Sequence, residues 1–254
     1  MRTYHELLAT VGQGDYMRSM IDRALCTSEF TYFHPWRCPA CGQGTLEREP
    51  DTLKHWPAQG VATAIDEGHI FRWDDYGVFS GTLKCSNTRC RQGVAVLGDY
   101  SCREIAEPAM AYEHLYSVRA FHPALKIIEM PPETPAPISE ALLRSFSLFW
   151  SDHQACAGAI RVAIEGIAGY LGEPRVVGKT ARSLAKRLKL LEPRHSELVE
   201  AANAIKDVGN EGAHGDEVDQ TKLLDCYELL ELELRGLFNN DAVRRRALID
   251  GIRK

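Results

Sequence analysis

The sequence predicts a mainly α protein, in which an antiparallel helical bundle follows a small α+β domain. In the C-terminal half, apolar residues recur at helical spacing on five successive segments joined by short connections. In the N-terminal half, cysteine, glycine and aromatic residues cluster, and short apolar runs alternate with turn residues. The predicted parts are a helical segment at 1–30, the α+β domain at 31–105, a proline-rich linker at 106–138 and the bundle at 139–254.

The overall composition sets limits on the class of protein. A chain of 254 residues with 44% hydrophobic content can form a core that needs no disulfide bonds. The net charge of −5 argues against a protein that coats nucleic acid non-specifically, although it permits a local basic surface. No segment has the order of a signal peptide or of a membrane span. We therefore expect a cytoplasmic protein with reduced cysteines and no membrane contact.

The expected elements follow from local patterns. Short strands are predicted at 70–73, 77–85 and 93–97, and the five prolines between residues 121 and 138 forbid a continuous helix there. Beyond the linker, Ser139 is expected to cap the first helix of the bundle. The remaining helices are expected to end at Gly172, before Pro193, at Gly209 and near Leu237. For the helix over 201–208, glycine is the expected terminator because it readily takes the left-handed conformation of a C-cap.

Two close pairs of cysteines predict a metal site. Cys38 and Cys41 are separated by two residues, and Cys85 and Cys90 by four, so each pair can form a knuckle that directs two thiols at one point. Four thiolates are the ligand set of a tetrahedral structural zinc ion, and the intervening strands would form a zinc ribbon. Such a closed set leaves no open position for catalysis. The alternative is that these are ordinary buried thiols.

The segment "GEPRVVGKT" ends like a phosphate-binding loop, but it has five residues between its two glycines where the loop requires four. We therefore expect no binding of nucleoside triphosphate, and a loop followed by a helix that opens near Thr180. Basic residues are concentrated at 172–194. They form either a solvated helix face or a surface that contacts phosphate.

His214 follows the predicted end of the fourth helix and lies among several acidic residues. In the structural interpretation it links two helices through a carbonyl or a carboxylate. In the functional interpretation it is a proton carrier on a loop, and the nearby acids favour its protonated form, which suits a general acid or a phosphate contact. The residues alone leave both interpretations open.

The segments "PAPISEALLRSF", "AIRVAIEGIAGYLG", "KTARSLAKRLKLL", "AIKDVGNEGAH" and "LLELELRGLF" together resemble the domain-of-unknown-function family 4145, a helical branch of the HEPN superfamily. The resemblance covers roughly residues 121 to 240. Its most specific parts are Arg161 with Glu165, and the "GN.GAH" pattern that ends at His214. A cysteine-pair ribbon commonly precedes this domain. The resemblance implies an HEPN-like bundle, and we expect a homodimer because related bundles commonly pair.

The resemblance also implies a site. Active HEPN ribonucleases carry an arginine, often followed by asparagine, and a histidine a few residues later, and they cleave RNA without a metal. Asn210 and His214 match this pattern, but Gly209 occupies the arginine position. Glycine cannot neutralise a phosphate. Lys206, one turn earlier, or Arg161 on a neighbouring helix would have to substitute.

The residues Arg161, Glu165, Lys206, Asn210 and His214 therefore form the candidate catalytic or binding set. Arg161 and Glu165 are four residues apart, so a simple surface salt bridge is the alternative for that pair. We expect a degenerate HEPN-like module that binds RNA or a regulatory protein partner in a bacterial defence or stress system. An active metal-independent endoribonuclease that uses His214 and a structural adaptor remain the alternatives.

Overall fold

The computed structural model of the protein describes residues 22–26, 29–105, 111–213, 218–239, 249 and 251–253. Helices make up 43% and strands 24% of the structure, and a large antiparallel sheet curls into a half-barrel in the N-terminal part. The predicted fold class, a mainly α bundle with a small α+β ribbon, is therefore wrong. The helical segment predicted at 1–30 lies mostly outside the described residues. Within it, Arg23–Cys26 forms a 3-10 turn and Glu29–Phe30 a short strand.

The half-barrel is a six-stranded sheet in which every neighbouring pair is antiparallel. Its strands are β1 (Glu29–Phe30), β2 (Leu46–Arg48), β3 (Lys54–Pro57), β4 (Tyr76–Cys85), β5 (Gly93–Ile105) and β6 (Ala111–His122). The strand order is β1-β6-β5-β4-β2, and β3 also pairs with β4 beside β2. A short helix, α1 (Val61–Asp66), and a 3-10 turn (Arg72–Asp74) connect β3 to β4.

This sheet differs from the expected small ribbon because three of its strands are long. β4, β5 and β6 contain 10, 13 and 12 residues. The predicted strands at 77–85 and 93–97 are confirmed inside β4 and β5, whereas the prediction of a strand at 70–73 is wrong, because Arg72–Asp74 forms a 3-10 turn. β6 was not predicted and lies within the range assigned to the linker. His114 and Leu115 point to opposite faces of β6, and this polar-then-apolar pair interrupts the alternation typical of a strand.

The five predicted helices are confirmed. They are α2 (Ala136–Leu148), α3 (His153–Tyr170), α4 (Leu184–Leu191), α5 (Ser196–Ala213) and α6 (Gln220–Phe238). Between α3 and α4, β7 (Val176–Val177) and β8 (Thr180–Ala181) form a two-stranded hairpin. Two helix starts differ from the prediction. Pro135, not Ser139, occupies the N-cap of α2, and α4 begins after its cap Ser183 rather than near Thr180.

Helix α3 packs against each of the other four helices of the C-terminal part, and its contact with α5 explains an error in the prediction. Gly209 does not end a helix, because α5 continues through it to Ala213. A Cβ atom at Gly209 would lie 3.2 Å from Cβ of Arg161 and 3.3 Å from the carbonyl oxygen of Ala157, both on α3. The glycine thus permits two helices to approach closely.

The sheet and the helices share one hydrophobic core. The ring of Trp150, just after α2, lies 5.2 Å from that of Phe121 on β6, and the ring of Trp36 lies 4.9 Å from Phe121. In addition, the side chain of Gln220, the first residue of α6, donates a hydrogen bond to the carbonyl of Cys26. Within the described part of the chain, the helices are too short or too polar to cross a membrane.

Candidate metal centre and polar cluster

Four cysteine side chains converge at one end of the sheet. The Sγ atoms of Cys38 and Cys90 are 3.8 Å apart, those of Cys41 and Cys85 are 3.7 Å apart, and all four lie within 4.8 Å of one another. In a tetrahedral zinc site with Zn–S bonds of about 2.3 Å, neighbouring sulfur atoms are about 3.8 Å apart. The predicted ligand set is therefore brought together, in a geometry that can hold a metal ion.

Backbone hydrogen bonds shape both knuckles. In the first, the N–H of Cys38 donates to the carbonyl of Gly44, and the N–H of Gly42 donates to the carbonyl of Cys38. In the second, the N–H of Cys90 donates to the carbonyl of Asn87. Strand pairing joins the two, because Leu46 on β2 lies opposite Cys85 on β4. The sheet therefore fixes the separation of the knuckles.

Gly44 also belongs to this site, although it is not among the site residues predicted from the sequence. A Cβ atom there would lie 2.5 Å from Sγ of Cys85 and 2.9 Å from the backbone nitrogen of Asn87. Any other residue would therefore push the two knuckles apart. The available signal was the second glycine of "CPACGQG", directly after the first cysteine pair.

The surroundings of the cluster favour an anionic sulfur at Cys41. The backbone N–H groups of Gly44 and Gln43 donate toward its Sγ and lower the pKa of the Cys41 thiol to about 6. By contrast, burial raises the pKa of Cys85 to about 12. A bound cation would favour the thiolate at all four positions, since metal ligation requires the deprotonated form.

The second candidate site joins α3 to α5. Nη1 of Arg161 donates a hydrogen bond to Oδ1 of Asn210 at 2.5 Å, and Nε of Arg161 lies 3.9 Å from Oε1 of Glu165. The structure thus brings three of the five predicted residues together. Lys206 lies one turn earlier on α5 and instead donates to Asn203 at 3.0 Å, with Asp207 3.3 Å away. His214 lies outside the described residues.

Arg187 completes this polar cluster, although the sequence places it only among the basic residues at 172–194. Its side chain is 2% exposed, and its Nε and Nη2 donate to the backbone carbonyls of Glu173 and Glu165 at 2.7 and 2.5 Å. Its Nη1 also lies 3.8 Å from Oε2 of Glu165. Burial lowers the pKa of Arg187. Arg187 therefore fastens α4 to the C-terminal end of α3, and Glu165 is shared between Arg187 and Arg161.

The inner face of the half-barrel carries a third group of titratable residues that the sequence did not reveal. The rings of His55 and His114 stack with centroids 4.4 Å apart and an interplanar angle of 20°. Nε2 of His55 is 3.1 Å from the hydroxyl of Tyr116, and the hydroxyl of Tyr100 donates to Asp75 at 3.0 Å. Burial lowers the pKa of both histidines. Stacked rings do not direct their nitrogen lone pairs at one ion, which argues against a metal here.

Comparisons with known families match two parts of the chain to two different family models. Residues 29–123, which contain the sheet, match the model of a family described as "Domain of unknown function (DUF8608)". Residues 144–243, which contain most of the helices, match the model described as "Domain of unknown function (DUF4145)". The second match supports the resemblance of the helical part to the domain-of-unknown-function family 4145. Neither a curated protein nor a solved structure matches the chain.

Proposed function

We propose that the protein is an HEPN-like binding module that associates with RNA in a bacterial defence or stress system, with a structural zinc ion at its four cysteines. The contact between Arg161 and Asn210 is the observation that carries this proposal. HEPN ribonucleases place an arginine beside this asparagine in sequence, whereas here Gly209 leaves that place empty and a guanidinium from α3 contacts the asparagine instead. A positive charge beside Asn210 suits a phosphate contact.

The surroundings of that guanidinium favour binding over catalysis. Glu165 lies 3.9 Å from Arg161 and also near the buried Arg187, so its carboxylate partly neutralises both cations. A phosphate has to compete with this carboxylate for Arg161. That competition weakens the stabilisation of a transition state, which requires donors already arranged for the developing charge. A degenerate module that binds RNA without cleaving it is therefore the first proposal.

The zinc ion would have a structural role. Cys38, Cys41, Cys85 and Cys90 would hold it, and four thiolate ligands leave no position for water or substrate. The ion supplies a cross-link between the two knuckles when bound. The four cysteines would in turn hold the start of β2 against the end of β4, where Leu46 pairs with Cys85.

RNA affinity tests the proposed function. We expect the purified protein to bind RNA, and Arg161→Gln to weaken that binding because it removes the charge beside Asn210. Arg144→Gln is the matched control, since Arg144 is an exposed arginine on the neighbouring helix α2. Wild-type affinity in Arg161→Gln, measured by fluorescence anisotropy, would contradict the proposed phosphate contact. A wild-type protein that binds no RNA would favour the structural adaptor.

Metal-independent cleavage of RNA is the second candidate function, and the same arginine contact is the reason to keep it. In this case His214 would be the general acid or base, Asn210 an orienting group, and Arg161 the phosphate contact. Lys206 is less suited, because it already contacts Asn203 and Asp207. Cleavage of cellular RNA that persists with chelator and disappears in His214→Ala would establish this function. Intact RNA after incubation would leave the binding role.

A further inference from the structure

Positive charge is concentrated in one short segment of this acidic protein. Residues 172–194 contain seven basic and two acidic residues, whereas the rest of the chain contains 23 basic and 33 acidic residues. The segment comprises the β7–β8 hairpin and α4. A charge asymmetry of this size on one surface indicates a negatively charged partner.

The structure separates the available cations of this segment from the occupied ones. Arg187 is buried, and Arg182 and Arg194 lie 2.9 and 3.7 Å from the carboxylate of Glu173. The remaining four are exposed and have no carboxylate within 4.0 Å among the residues that the structure describes. We call these four the basic wing: Arg175, Lys179, Lys186 and Lys189.

The hairpin stands free of the rest of the molecule. Val176 pairs with Ala181 and Val177 with Thr180, so Lys179 lies in the turn. Adjacent residues of a strand point to opposite faces, and both Val176 and Val177 are exposed, at 55% and 43%. Neither face of the hairpin is therefore covered. The β-branched side chains of Val176 and Val177 favour an extended backbone, which accounts for two exposed valines in this hairpin.

Helix α4 extends the same surface. Its cap Ser183 is two residues after the last residue of the hairpin, and its inner side is formed by Leu184, Leu188 and Leu191, all of which are buried. Lys186 and Lys189 lie on the outer side and are exposed. The basic wing therefore combines exposed cations of the hairpin with exposed cations on the outer side of the adjoining helix.

We propose that the basic wing docks on the phosphate backbone of RNA. This inference rests on the proposed function and adds to it a second contact surface, away from Arg161. The wing contains no aromatic side chain, so stacking on bases does not contribute and the contact is independent of sequence. An anionic membrane is the less favoured partner, because interfacial insertion is favoured by tryptophan and phenylalanine, which residues 172–194 lack, and the large exposed apolar side chains there are only Val176, Val177 and Leu190.

The number of cations predicts a measurable salt dependence. Four phosphate contacts to single-stranded RNA give a slope of about −2.8 for the logarithm of affinity against the logarithm of salt concentration. A variant with glutamine at all four wing positions should lose this share of the slope and about tenfold or more of the affinity in moderate salt. The four side chains are exposed, so their loss should leave the fold intact.

The experiment compares this wing variant with a control of equal charge change. The control carries Lys54→Gln, Arg72→Gln, Lys126→Gln and Arg144→Gln, all at exposed positions outside the segment. Fluorescence anisotropy with a labelled 20-nucleotide RNA is measured at several salt concentrations, and circular dichroism checks the fold. We expect the wing variant to lose affinity and slope, and the control to retain both.

The outcomes separate this inference from the proposed function. Wild-type RNA binding that the wing variant retains would overturn the wing alone, as would an equal loss in both variants. No RNA binding by the wild-type protein would overturn the wing together with the proposed function. A membrane would be the partner in place of RNA if two results are found together. The wild-type protein would bind vesicles with about 30% phosphatidylserine and the double variant Val176→Ser with Val177→Ser would not, while the wing variant would keep wild-type RNA affinity.

Discussion

Arg161 on α3 donates a hydrogen bond to Asn210 on α5, at the point where Gly209 allows the two helices to meet. The position of Arg161 therefore depends on the absence of a side chain at Gly209. A larger residue at 209 would crowd Arg161, and a displaced Arg161 would leave Asn210 without its donor.

Gly209→Ala should destabilise the protein by about 1 kcal/mol, although alanine favours helices more than glycine does. The added Cβ would meet Arg161 at 3.2 Å and the carbonyl oxygen of Ala157 at 3.3 Å, so the helices must separate slightly. Gly236→Ala on α6 is the control, since its Cβ would meet nothing within 4 Å, and it should stabilise the protein. Urea denaturation measures both. A stability gain in Gly209→Ala would contradict the close packing.

The cysteine cluster should bind one zinc ion per chain. We expect Cys85→Ser to lose the metal and to lower the melting temperature by about 5–10 °C, because the cross-link between the knuckles is lost. Cys102→Ser is the control, as Cys102 is a buried cysteine outside the cluster. Elemental analysis after dialysis measures the metal. Equal zinc content in wild type and Cys85→Ser would refute the site.

Gly44→Ala should weaken metal binding even though it changes no ligand. The new Cβ would lie 2.5 Å from Sγ of Cys85, so the sulfur atoms can no longer keep their spacing. We expect zinc to be lost to a competing chelator at least tenfold more readily. Gly93→Ala provides the comparison, because its Cβ would meet only a methyl group at 4.0 Å. Unchanged zinc retention in Gly44→Ala would show that the two knuckles are not held this tightly.

Arg187→Met should be strongly destabilising, by about 3 kcal/mol. The change leaves the backbone carbonyls of Glu165 and Glu173 without their donor and removes the cation beside the Glu165 carboxylate. Lys186→Met, at the exposed neighbouring position, should change stability by no more than about 0.5 kcal/mol. Chemical denaturation of both variants measures the difference. Similar stabilities would mean that Arg187 is not a structural clamp.

Stability should fall as the pH drops below about 6.5, the ordinary pKa of histidine. Burial lowers the pKa of both His55 and His114 in the folded protein, and a charge on His114 lowers the pKa of His55 further, while the opposing attraction of Asp75 is weaker than burial at both histidines. The unfolded chain therefore binds more protons in that range, and acid favours unfolding. His34, whose pKa burial also lowers, acts in the same direction.

The melting temperature between pH 7.5 and 5.5 tests this assignment. His114→Phe, which retains a stacking ring on β6, should make the melting temperature less dependent on pH. His69→Gln, which replaces an exposed histidine outside the half-barrel, should leave the dependence as it is in the wild type. If the melting temperature of His114→Phe depends on pH as it does in the wild type, the stacked histidines do not cause the loss of stability in acid.

Local chemistry in the sequence was sufficient to predict the four-cysteine set and the five helices, because each depends on spacing within a few residues. The half-barrel was not predicted, since the polar His114 followed by the apolar Leu115 interrupts the alternation of polar and apolar residues in β6. Gly209 shows the same limit at a single position. Its local preference favours a helix end, but the close approach of α3 determines its role, and only the folded chain reveals that contact.

The central claim is that Arg161 and Asn210 act as one phosphate contact, and a double-mutant cycle on RNA affinity tests it most directly. Arg161→Gln and Asn210→Ala are measured singly and together in the same salt concentration. We predict that each single variant weakens RNA binding and that the double variant loses little more, because either change breaks the same unit. Wild-type affinity in both single variants would contradict the claim and leave the contact a purely structural link between α3 and α5.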